Sequence, residues 1–143
     1  MKNLYKYEMG VFPRSLYICY KPDLEEFADK FYGVNPDNIG VIDVTPAILE
    51  ERYHGTTIID CAGVATREDN ELGIMMTVWK PAEVTPGSIA HEATHFAFYL
   101  CEDLGIEATN FKNSEAFAYI AEWCANRFYE SFADYKKKNR NWK

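Results

Sequence analysis

The stretch TPGSIAHEATHFAFYLCEDLG, residues 85–105, limits this chain more than any other part of it. Thr85 has a side-chain oxygen suited to an N-cap, Pro86 suits the first helical position, and Gly105 suits a left-handed stop. The spacing predicts one helix of about 19 residues, a rod of roughly 28 Å. After the loop IEATNFKN a second long helix is expected from about Ser114 into the lysines at 136–138. Its apolar stripe, Phe117, Ile120, Ala121, Cys124, Phe128 and Phe132, recurs every three or four residues. Two long amphipathic helices at one end oblige the rest of the chain to supply something for them to pack on.

Upstream, the pattern alternates between strand and short helix. Ser15 to Tyr20 reads as a strand, and KPDLEEFADKFYG as a helix with Pro22 in its first turn, Leu24, Phe27 and Phe31 on one face, and Gly33 as the stop. NPDN at 35–38 is turn chemistry, IGVIDV a strand, and TPAILEERYHG a short helix between Thr45–Pro46 and Gly55. TTIIDCAGVA and LGIMMTVWK, joined by the charged TREDNE, predict a hairpin. The expected class is α+β, a small mixed or antiparallel sheet packed against two long C-terminal helices. A chain of 143 residues, 48% of them hydrophobic and 15% aromatic, is expected to form one domain over 1–143.

A net charge of −7 argues against nucleic acid as a partner, because such binding draws its affinity from clustered Lys and Arg. The one basic cluster, Lys136, Lys137, Lys138, Arg140 and Lys143, reads as a solvated helix end. Cys19, Cys61, Cys101 and Cys124 show no CxxC pair and sit among apolar neighbours, so they read as buried free thiols. No apolar run approaches the ~18 residues of a membrane span and no signal-peptide core is visible. The expectation is a cytoplasmic protein without membrane or nucleic-acid partners.

Chemistry concentrates on the first long helix, where His91, Glu92 and His95 form HExxH. Residues four apart share a helix face, so both imidazoles can reach one zinc ion, while Glu92, one step round, can reach a water beside it as a general base. Apolar Ile89, Phe96, Phe98, Tyr99 and Leu100 are expected to form a dry shell around the pair. A catalytic zinc needs a third protein ligand. The extended pattern HExxHxxGxxH is absent, since Phe98 and Cys101 stand where it needs Gly and His. Glu115, 20 residues after His95 and in the first turn of the next helix, is the better candidate. It shares a polar stripe with Tyr119, Glu122 and Asn126. An acidic first-turn residue also suits the helix dipole, so both readings apply to Glu115.

HExxH followed by a helix bearing a glutamate resembles the gluzincin class of zinc metallopeptidases. IAHEATHFAFYLCEDLGI together with SEAFAYIAEW is similar to short phage- and prophage-encoded metallopeptidase-like proteins. The similarity covers about residues 84–125, and Ala118–Tyr119 is retained after Glu115. Larger gluzincins often carry an aspartate four residues after the ligand glutamate, where this chain has Tyr119, leaving Glu122 or a backbone carbonyl to orient a histidine.

The resemblance implies a minimal zincin-like fold and a zinc-dependent peptidase, with Glu92 as general base and His91, His95 and Glu115 as zinc ligands. Tyr119 and His54 are candidates to stabilise the oxyanion, although Tyr119 also fits as a floor aromatic and His54 as a helix C-terminal residue. A peptide or protein substrate is expected to add as a strand along GIMMTVWK, contacting Met75, Met76 and Trp79, residues that a hairpin core requires in any case. The alternative is a zinc-binding interaction module with little or no activity.

Overall fold

The computed structural model describes residues 1–35, 40–53, 58–107 and 110–139. Two compact units are described, one over Met1–Glu83 and one beginning at Val84. The class is α+β, as expected: a mixed sheet in the first unit and two long C-terminal helices in the second.

In the first unit six strands run in the order β1-β2-β6-β5-β3-β4: β1 Leu4–Glu8, β2 Ser15–Tyr20, β3 Phe31–Asn35, β4 Gly40–Ile42, β5 Ile59–Thr66 and β6 Leu72–Val78. All neighbours are antiparallel except β2 and β6, which run parallel with Ser15 opposite Gly73 and Tyr20 opposite Val78. A parallel pair needs a long crossover, and this one comprises α1 (Leu24–Lys30), β3, β4, α2 (Pro46–Tyr53) and β5. The expected hairpin is present as β5 and β6, with Ile59 opposite Val78 and Ala65 opposite Leu72.

Tyr17, Cys19, Val64 and Met75 from the sheet pack with Phe27, Ala28 and Leu49 of α1 and α2 into one apolar cluster. Residues of the other parity in β2 and β6, namely Leu16, Ile18, Tyr20, Ile74 and Met76, are buried as well. Strands buried on both faces read as continuous apolar runs, and SLYICY and GIMMTV do so.

The helix from KPDLEEFADKFYG is shorter than its apolar spacing suggests. Asp23 caps it, its Oδ1 accepting the N–H groups of Glu25 and Glu26 at 3.0 Å each. It ends at Lys30, and Phe31 turns extended to open β3 instead of completing the helical stripe. Gly33, expected as the stop, lies mid-strand opposite Val64 and Ile42. Strand pairing and the complete burial of Phe31 override the helical periodicity. Strand β1 has no counterpart in the sequence reading.

The second unit holds α3 (Pro86–Asp103) and α4 (Ser114–Lys138). They meet through Phe96 and Trp123, stacked with centroids 6.2 Å apart, and through Phe98 and Phe117, edge to face at 4.6 Å. No described helix is long and apolar enough to cross a membrane.

Candidate metal site

Helix α3 begins as its sequence dictates. Thr85 Oγ1 accepts the Ser88 N–H at 3.1 Å and the Thr85 N–H donates to Ser88 Oγ at 2.8 Å, a reciprocal capping box with Pro86 in the first turn. It ends at Gly105, φ +66°, where the Ile106 N–H reaches back to the Cys101 carbonyl at 2.7 Å and the Gly105 N–H to Glu102 at 3.2 Å. This double bond pattern closes a helix on a left-handed residue. Between these ends Ile89, Ala93, Phe96, Ala97 and Leu100 form the buried stripe. His91 and His95 fall on the opposite side, and both are exposed.

The two imidazoles turn toward each other. His91 Nε2 and His95 Nε2 lie 3.1 Å apart, with ring centroids at 4.7 Å and planes inclined by 73°. Two nitrogens each bound at ~2.05 Å to one tetrahedral ion lie roughly 3.3 Å apart, so the pair is close to the spacing of two ligands on one zinc. The same separation suits a hydrogen bond in which one neutral ring donates and the other accepts. Glu92 Oε1 stands 4.0 Å from His91 Nε2, and the Glu92 side chain is only 14% exposed against 68% for His91. The sheltered carboxylate therefore lies beside His91 Nε2.

The dry shell expected around the pair is not there. Ile89, Phe96 and Leu100 are buried on the far side of α3, because residues three and four apart from 89 cannot share a face with 91 and 95. Phe98 does share the histidine face, seven residues after His91, but is 55% exposed. Its ring touches Phe117, and this contact sets the first turn of α4 beside α3 one turn past His95. Glu115, two residues before Phe117, is exposed in that turn. Among the described residues no group of three or more His, Cys, Asp and Glu side chains is placed to hold a metal, so the carboxylate of Glu115 is not gathered with the imidazoles. Tyr119 is 65% exposed and fills no floor. Cys101 is buried, and burial pushes its thiol pKa up, which suits a core residue.

His54 lies outside the described residues. The strand-addition role for β6 is corrected by the topology: β6 is bonded to β5 on one side and β2 on the other, so its main-chain groups are already paired. Met75 and Met76 are fully buried, Met75 within the apolar cluster of the first unit. Trp79 is partly buried, its Nε1–H donating to Thr77 Oγ1 at 3.0 Å. All three serve the sheet. The edges of the sheet are β1 and β4. The contact of Phe98 with Phe117 is one that spacing along α3 does not signal, because it depends on how the two helices pack.

Comparison with known protein families, characterised proteins and solved structures returns no match to this chain.

Proposed function

We propose that the chain is a zinc-dependent peptidase of the gluzincin type, in which His91 and His95 hold the ion, Glu115 completes the protein ligands and Glu92 is the general base. The observation that carries this reading is the convergence of the two Nε2 atoms to 3.1 Å with a sheltered carboxylate 4.0 Å away. His91 and His95 would hold a zinc ion, which would supply Lewis acidity toward a peptide carbonyl and activate a water. In that setting Glu92 would be the base that accepts a proton from the attacking water and returns it to the departing amine nitrogen. Glu115 is exposed in the first turn of α4, two residues before the Phe117 that contacts Phe98, and residues two apart point to opposite sides of a helix, so its carboxylate would join the imidazoles through a rearrangement of that turn.

A second reading, a zinc-binding interaction module with little activity, is favoured by the openness of the site: His91 is 68% exposed and Phe98 55%. One pair of variants separates the two. Glu92→Gln is expected to bind zinc like the parent and to lose cleavage of a peptide library by about 100-fold or more. Glu115→Ala is expected to lose zinc affinity itself. A parent that binds zinc but cleaves nothing supports the interaction module, and a Glu92→Gln protein that cleaves normally contradicts the peptidase mechanism.

A further inference from the structure

The second unit also carries a groove that the metal site does not use. Its volume is about 390 Å³ and its walls include Pro86 and Ile89 from the start of α3 and Ala125, Tyr129, Phe132 and Lys136 from α4. That volume lies within the range of small-ligand sites, roughly 300–1,000 Å³. The α4 residues recur at intervals of three and four, so they form one straight stripe about 16 Å long. Ile89 and Phe132 are buried and form the apolar floor, while Tyr129 is exposed along one wall.

The charge at the groove is uneven. Lys136 Nζ stands 4.5 Å over the Phe132 ring, a cation held against the apolar floor at one end of the stripe. The acids on this stretch of α4 are engaged elsewhere: Glu130 with Arg127 at 2.8 Å and Asp134 with Lys138 at 2.6 Å. A largely apolar groove with an ammonium at one end fits a ligand with a linear apolar body and one negative end. We propose that the groove binds a linear monocarboxylate of about ten carbons, its tail along Ile89, Ala125 and Tyr129 and its carboxylate on Lys136. At roughly 1.3 Å of reach per carbon, such a chain spans most of the stripe. The proposal does not depend on the metal site.

Calorimetric titration of the full chain with decanoate and with its neutral analogue decanol tests it. Decanoate is expected to bind at one site per chain, about fivefold more tightly than decanol, the contribution of one exposed ion pair. Lys136→Met, which keeps an apolar side chain over Phe132, is expected to reduce decanoate to the affinity of decanol. Ala125→Trp, which fills the channel, is expected to remove both. Absence of saturable decanoate binding, equal affinity for acid and alcohol, or undiminished binding by either variant overturns the assignment.

Discussion

Two side chains illustrate how far local chemistry reaches in this molecule. The imidazoles of His91 and His95 meet because four residues make about one helical turn, and that relation is visible in the sequence without any knowledge of the fold. Cys19 shows the opposite case. Its neighbours mark it as apolar, but only the assembled core explains its thiol, which burial pushes from 9.0 up to about 12. A thiol that ionises later in the folded state than in the unfolded one stabilises the fold fully below pH 9. That contribution declines as the pH rises from 9 toward 12, because the unfolded chain loses its proton first. Urea unfolding between pH 8 and pH 10.5 should therefore show stability falling by up to about 1.4 kcal/mol per pH unit at the alkaline end, and Cys19→Ala should flatten that slope. An unchanged slope in the variant would place the alkaline sensitivity elsewhere.

At the scale of elements, what was legible depended on whether the signal was local. Helix α3 starts at Thr85–Pro86 and stops at Gly105 as the sequence suggests, because caps and left-handed stops act within a few residues. The end of α1 was not legible: Phe31 fits the helical stripe of Leu24 and Phe27, and only its pairing with Thr66 on β5 decides that it is a strand residue. Strand β1 was missed because LYKYE alternates with only part of its surface buried, and its partner β2 supplies the reason for it to be extended. Gly73 is another position whose importance is tertiary. A Cβ there would lie 2.6 Å from Tyr17 Cε2 and 2.7 Å from the Ser15 carbonyl oxygen, both on the neighbouring strand. Gly73→Ala is accordingly expected to destabilise the protein by about 1–3 kcal/mol in denaturant unfolding, since β2 and β6 must separate to admit the methyl group. A change of less than about 0.5 kcal/mol would show that the parallel pair is more compliant than its geometry suggests.

For the whole molecule, the class was legible and the topology was not. Alternating short elements followed by two long helices imply α+β, but nothing local announces that β2 pairs in parallel with β6, more than fifty residues later. That pairing places β6 inside the sheet and removes it as a docking edge for peptide. The candidate site divides in the same way. His91, Glu92 and His95 belong to one helix and follow from its period, whereas the third ligand depends on how α4 lies against α3, which no spacing encodes. The central claim is that the exposed histidine pair is a metal clamp, and titration calorimetry of the protein with zinc tests it most directly. The account predicts one zinc per chain, bound at micromolar or tighter affinity, with His91→Ala and His95→Ala each abolishing the heat of binding. Zinc binding that survives both substitutions, or none in the parent protein, would contradict it.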